Sequence, residues 1–143
     1  MLSGKAITLK YQHDYIEDAV LIFSCDKCMV YLIADEKEFP SSFVKLEFKQ
    51  VQCVRSARTD CTPAIGIYPE EPGASYIAEL TESKWPIEAR ESYVYIDSPI
   101  KPRGRHFVIS NHDIFYEILA ESFTESIIQK CDSEYDFVKY QFS

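Results

Sequence analysis

Two short apolar runs that are close together in the sequence constrain the fold of this chain more than any other feature. The runs are "DAVLIFS" (18–24) and "CMVYLIA" (28–34), with three residues between them. Both are rich in β-branched and aromatic residues, and both are far shorter than the ~20 residues that cross a bilayer. Runs of this length and composition are typical of buried central strands. We therefore predict a central β-hairpin with its turn at "SCDKC" (24–28).

Cys25 and Cys28 in this turn have the C-x-x-C spacing that also occurs in zinc sites and dithiol redox pairs. A structural zinc site needs about four ligands, and the other candidate pair, Cys53 and Cys61, is too widely spaced. A redox pair usually opens a helix, whereas both flanks here indicate strands. We predict two free thiols that face each other across the hairpin, with a zinc site or a redox pair as alternatives.

Further segments have strand-like patterns, and one long segment has the pattern of a helix. Strands are predicted at "KAITLKY" (5–11), "FVKLEFKQVQCV" (43–54), "SYVYIDS" (92–98), "RHFVIS" (105–110) and "DFVKYQF" (136–142). "ASYIAELTES" (74–83) fits a strand or a short helix, and "SKWPIEAR" (83–90) has the composition of a turn.

The segment "NHDIFYEILAESFTESIIQK" (111–130) carries an apolar stripe at helical spacing that includes Phe115, Leu119 and Phe123. It predicts an amphipathic helix with His112 near its N-terminus. Together the patterns predict an α+β fold in a single domain, 1–143. Its core would be an antiparallel β-sheet of about six strands with one main C-terminal amphipathic helix packed on it.

The net charge of −8 narrows the classes of partner. A strongly acidic chain repels nucleic acid and anionic lipid at long range and attracts basic proteins. The N-terminal residues lack the apolar stretch of a signal peptide, and five cysteines, an odd number, agree with free thiols in a reducing compartment. We expect a cytoplasmic protein that binds neither nucleic acid nor membrane. The oligomeric state stays open.

Candidate catalytic residues are few. The three histidines include two His-Asp dipeptides, but the chain has no glycine-rich phosphate loop and no G-x-S-x-G motif. We therefore expect no enzymatic activity, no cofactor and no bound metal. A small hydrolase using His and Cys residues, such as Cys61 with His106, is the alternative, together with a small structural zinc protein.

The predicted helix bears an unusual set of charges. Asp113, Glu117, Glu121 and Glu125, here called the acidic row, recur every four residues and would share one solvent-facing side. Like charges at this spacing destabilise a helix by about 0.2–0.5 kcal/mol per pair. A function that offsets this cost would explain why the acidic row is present. We predict that it binds a basic protein partner, with Tyr116 as an aromatic anchor, and an ordinary solvent-exposed helix face is the alternative.

The overall profile, a small acidic α+β chain without a catalytic constellation, resembles bacterial immunity proteins. These include the immunity proteins of contact-dependent growth inhibition systems. The resemblance implies that the chain binds a cognate toxin domain and blocks its active site, with the acidic row and Tyr116 at the interface.

Overall fold

The computed structural model describes residues 2–25, 27–91 and 103–143, and in these ranges the chain forms mostly β-strands. The strands and helices are β1 Gly4–Thr8, β2 Ala19–Ser24, β3 Lys27–Ile33, β4 Phe43–Lys49, β5 Cys53–Arg58, a 3-10 turn Thr59–Cys61, β6 Tyr76–Leu80, α1 Trp85–Glu91, β7 Arg105–Asn111, β8 Ile114–Ala120, β9 Ser122–Ile128 and α2 Tyr135–Gln141.

The strands form two antiparallel sheets that pack face to face. One sheet has the order β1-β6-β7-β8-β5, and the other has the order β2-β3-β4-β9. Apolar side chains from both inner faces make one core, including Val30 and Leu46 from one sheet and Phe107 and Ile118 from the other. The α+β class is confirmed, whereas the single sheet of about six strands is replaced by a two-sheet sandwich.

The predicted central hairpin is confirmed as β2–β3, but its two thiols do not face each other. Phe23 pairs with Cys28 and Ser24 pairs with Lys27, which leaves Cys25 in the turn outside the ladder. Cys25 has a φ of 56°, which is the left-handed conformation that hairpin turns require. The cross-strand pairing of the cysteines was therefore a wrong prediction within a correct hairpin.

Two neighbouring segments each pass from one sheet to the other at the same corner. The segment 43–54, predicted as one strand, bends at Gln50, where φ is 53°, and becomes β4 and β5. Alongside it, β8 and β9 are separated by Glu121 alone, and the Glu121 N–H donates to the carbonyl of Lys49 at 3.0 Å. Bends of this kind make the corners of β-sandwiches.

At the C-terminal end the predicted helix and the predicted strand are exchanged in the structure. Residues 111–130, predicted as the main helix, contain the whole of the strands β8 and β9, and His112 lies in the β7–β8 turn rather than at a helix N-terminus. The tail, predicted as a strand, contains α2. Its Tyr135, Val138 and Phe142 recur at helical spacing and cover Phe43 on the outer face of the four-stranded sheet.

Two of the remaining segments lie within the described residues, and both form regular structure. The undecided segment 74–83 contains strand β6, and the segment 83–90, predicted as a turn, contains helix α1. The predicted strand 92–98 lies outside the described residues. None of the helices in the described ranges is long and apolar enough to cross a membrane.

Candidate functional site

The structure does not bring the residues of the acidic row together on one face. Asp113 lies in the exposed β7–β8 turn, Glu117 lies on β8, Glu121 lies at the corner and Glu125 lies on β9. Tyr116, the predicted anchor, is 9% exposed, and its hydroxyl donates to the carbonyl of Ala19 at 3.2 Å. The predicted interface therefore has no geometric basis as a single helix face.

Two carboxylates of the acidic row have structural partners within the fold. The Glu125 carboxylate accepts hydrogen bonds from the backbone N–H groups of Lys10 at 2.8 Å and Tyr11 at 3.1 Å. The Glu117 carboxylate lies 2.8 Å from the His106 ring and 2.9 Å from the Arg55 guanidinium. These contacts explain why both acids are present without a basic partner.

The cysteines give no sign of a shared site. Cys28 is fully buried, and burial raises the pKa of its thiol to about 12, so it stays protonated. Cys25, Cys61 and Cys131 are exposed as free thiols. No group of three or more His, Cys, Asp and Glu side chains in the described part of the chain is arranged to hold a metal.

The proposed pairing of Cys61 with His106 is not formed. The Cys61 thiol is exposed and lies 3.5 Å from the neighbouring Asp60 carboxylate. Both ring nitrogens of His106 have other partners, Ser83 and Glu117. The Cys/His form of the hydrolase alternative therefore lacks its geometry.

One end of the sandwich carries large exposed apolar side chains among acids. Tyr15 is 70% exposed, Ile16 62% and Tyr68 77%. We call this end the tyrosine–acid surface, which consists of Tyr15, Ile16, Tyr68, Asp14, Glu17, Asp18, Asp60 and Asp113. Among the described residues, Arg58 is the one arginine or lysine in contact with an acid of this surface, and its partner is Asp60 at 3.6 Å. The His112 ring lies 3.7 Å from the Asp18 carboxylate. The surface is thus strongly acidic as well as aromatic.

Hydrogen bonds join segments of this surface and of the chain beside it. The His112 N–H donates to the carbonyl of Tyr15 at 2.7 Å, and the Thr59 N–H donates to that of Asp113 at 3.0 Å. The Ser75 N–H donates to the Gln12 side chain at 2.6 Å. The backbone at Tyr15 and Asp113 is therefore held in place, which reduces the entropy that these two segments lose on binding.

A cavity of about 1020 Å³ opens between Tyr15 and Tyr68. Its floor is the outer face of the five-stranded sheet at Val108 and Phe115, and the loop 62–69 forms one wall. His13 also lines it, with a ring Nδ1 that has no hydrogen-bond partner among the described residues. Burial lowers the pKa of His13 to about 4, so the ring is neutral at pH 7.

A second polar cluster lies on the same outer face, beside α1. The Ser83 Oγ is 2.6 Å from the His106 Nδ1, and the His106 Nε2 is 2.8 Å from the Glu117 carboxylate. The three residues come from the loop after β6, from β7 and from β8. His106 is 5% exposed, and Leu80 and Leu119 are its cross-strand neighbours, so its ring is held in place.

Trp85 and Arg55 complete this cluster. The Trp85 ring lies 4.7 Å from the His106 ring, and the Arg55 guanidinium lies 4.0 Å above the Trp85 ring. The hydrogen bond from His106 and that from Arg55 hold the pKa of Glu117 below its ordinary value, against the opposing effect of burial. A cavity of about 600 Å³ is lined by all five residues.

Comparison of the chain with protein-family models, with curated proteins and with solved structures finds no match. The function of the chain is therefore inferred from the geometry and the charge of the tyrosine–acid surface and of the Ser83–His106–Glu117 cluster.

Sequence reasoning named Asp113 of the tyrosine–acid surface and His106 and Glu117 of the second cluster, but in other roles, and it missed the remaining residues of both. "DYIED" (14–18) places Tyr15 and Ile16 between acids in a turn, and this local pattern was the available signal for an exposed aromatic surface. Ser83 has no such signal, because its neighbours His106 and Glu117 are distant in sequence. Only Asp113 of the predicted interface lies on the tyrosine–acid surface.

Proposed function

We propose that this chain is a stoichiometric binding protein that covers a basic region of a protein partner with its tyrosine–acid surface. The main support is the exposure of Tyr15, Ile16 and Tyr68 within an acidic surface. Tyr15 and Tyr68 also line the cavity of about 1020 Å³. Tyrosine is enriched at binding hot spots, and exposed apolar groups of this size on a soluble domain are typical of interaction sites.

The charge of the chain supports a basic partner. The net charge is −8, and the surface has five acids, of which Asp60 alone contacts an arginine or lysine among the described residues. Complementary charge accelerates encounter and excludes acidic competitors, while the tyrosines supply most of the affinity. The narrower form of the proposal is an immunity protein that neutralises a toxin domain in the cytoplasm. The overall profile of the chain supports that form.

The immunity form predicts that a gene beside this chain's gene encodes a large secreted protein with a basic C-terminal domain, and the absence of such a gene would contradict that form. The test uses that C-terminal domain. Binding of the purified domain is measured by calorimetry and by association kinetics at low and high salt. Tyr15→Ala and Tyr68→Ala are each expected to weaken binding about 30-fold, which corresponds to the hot-spot threshold of about 2 kcal/mol. Asp18→Asn with Asp113→Asn is expected to slow association several-fold at low salt and to flatten its salt dependence.

Matched controls lie elsewhere on the molecule. Tyr140 on α2 is 76% exposed, and Glu38 is exposed in the β3–β4 loop. Tyr140→Ala and Glu38→Gln should leave binding unchanged. Equal effects of Tyr140→Ala and Tyr15→Ala would move the interface away from the tyrosine–acid surface. A domain that does not bind at all would reject the immunity form of the proposal.

A further inference from the structure

The second cavity contains a hydrogen-bonded chain that partner binding does not explain. Ser83, His106 and Glu117 are in contact in that order, with distances of 2.6 Å and 2.8 Å. A nucleophile that contacts a base, which is itself oriented by a third group, is the geometric signature of an activated hydroxyl. The three side chains converge from separate elements on one cavity wall.

The direction of the hydrogen bonds follows from the charge of Glu117. Arg55 contacts the Glu117 carboxylate at 2.9 Å and favours its ionised form, which can only accept hydrogen bonds. The His106 Nε2 must therefore donate its hydrogen to Glu117. In the neutral ring the Nδ1 is then the acceptor, so the Ser83 hydroxyl donates its proton toward Nδ1.

Ser83 has a second contact that fixes its position. The backbone N–H of Trp85 donates to the Ser83 Oγ at 3.1 Å, at the start of α1. The hydroxyl oxygen is thus held between a backbone donor and an imidazole acceptor, in a cavity of about 600 Å³. We propose that Ser83, His106 and Glu117 cleave small carboxylic esters in this cavity, an activity separate from partner binding.

The reaction would proceed in two balanced steps. The Ser83 Oγ bonds to the ester carbonyl carbon as its proton moves to the His106 Nδ1, and that proton then leaves with the departing alcohol. Water then attacks the acyl carbon as one of its protons moves to His106. The bond from that carbon to the Ser83 Oγ breaks, His106 returns the proton to Oγ, and the carboxylic acid leaves. Glu117 stays ionised throughout and stabilises the imidazolium.

The cavity lining defines the class of ester. Leu2, Leu80 and Phe115 give it apolar walls, and Lys84 and Glu82 place both signs of charge beside them. This lining suits an uncharged ester with a small apolar acyl group. The Arg55 guanidinium lines the same cavity, and its five N–H groups allow it to contact Glu117 and a developing oxyanion together.

The test is covalent labelling of the full chain with a fluorophosphonate, which phosphonylates an activated serine and releases fluoride. Peptide mass spectrometry is expected to find one adduct per chain, at Ser83. Ser83→Ala should abolish the adduct, and His106→Gln should slow labelling at least 100-fold, because general-base catalysis contributes about 10²–10⁴ in rate. Turnover of p-nitrophenyl acetate should be lost in the same variants.

Two further variants separate catalysis from folding. Glu117→Gln is expected to slow labelling at least tenfold while the far-ultraviolet circular dichroism spectrum stays unchanged, because Glu117 positions His106. Ser133→Ala removes an exposed serine and should change nothing. The absence of an adduct at Ser83 in the folded wild-type chain would overturn the proposal. So would an adduct shared evenly with exposed serines. Neither result would affect the proposed partner binding.

Discussion

At the scale of single residues, two acids that are four positions apart have very different roles. The Glu125 carboxylate accepts hydrogen bonds from two backbone N–H groups, at Lys10 and Tyr11, and so ties the segment after β1 to β9. Glu121 is half-exposed at the corner, where its carboxylate lies 3.9 Å from Arg103. Charge-assisted bonds to backbone groups contribute far more to stability than an exposed ion pair does.

We therefore expect Glu125→Gln to lower the free energy of unfolding by about 1–3 kcal/mol, because it weakens the bonds to both N–H groups. The matched variant Glu121→Gln should change it by less than about 0.5 kcal/mol. Urea unfolding of both variants checks the difference. Equal losses would contradict the strand arrangement and favour one shared environment, as on a helix face.

His13 gives a pH-dependent prediction at the same scale. Its pKa is lowered from 6.5 to about 4, chiefly by burial, so the folded state resists protonation while the unfolded state accepts a proton below pH 6.5. The contribution of His13 to the free energy of unfolding is therefore fully present above pH 6.5 and is lost as the pH falls toward 4. The expected loss between pH 7 and pH 5 is about 2 kcal/mol.

The measurement is the free energy of unfolding at pH 7 and pH 5 in wild type and in His13→Gln. The variant should lack this part of the pH dependence, whatever its stability at pH 7. His112→Gln, which replaces a half-exposed histidine, should retain it. The same pH dependence in His13→Gln and wild type would show that His13 titrates normally in the folded chain.

At the scale of elements, the sequence predicted the hairpin β2–β3 well and the segment 111–130 badly. The strand β8 is buried on both faces, with Tyr116 and Ile118 in the core and Phe115 and Leu119 on the outer face. A strand covered on both sides loses the alternation that distinguishes it from a helix.

The tail shows the converse problem, because α2 contributes few turns. Its buried residues Tyr135 and Val138 are followed by Phe142, and over so short a segment an apolar stripe also fits an alternating pattern. The candidate sites were harder still. The tyrosine–acid surface and the Ser83 cluster each combine segments that are distant in the sequence. The order of the strands in the sheets brings these segments together, and no local sequence pattern predicts that order.

At the scale of the whole molecule, the two sheets share one core, so we expect them to unfold together as the predicted single domain. Phe48 of one sheet packs against Phe107 of the other at 5.5 Å between ring centroids, and Phe123 contacts both. Removing either sheet would expose this cluster to water, which makes a half-folded state costly.

The single tryptophan and α2 allow this expectation to be tested, because they lie on opposite outer faces. Trp85 covers the five-stranded sheet, and Val138, which is fully buried, packs α2 on the four-stranded sheet. Val138→Ala should lower the free energy of unfolding by about 2 kcal/mol through the cavity it leaves. The urea midpoint measured by Trp85 fluorescence should fall as far as the midpoint measured by far-ultraviolet circular dichroism, since cooperative unfolding links the two faces.

Tyr140→Ala, on the exposed side of α2, is the control and should change neither midpoint. A shift confined to circular dichroism would mean that the sheets unfold separately, and the prediction of one domain would then be wrong.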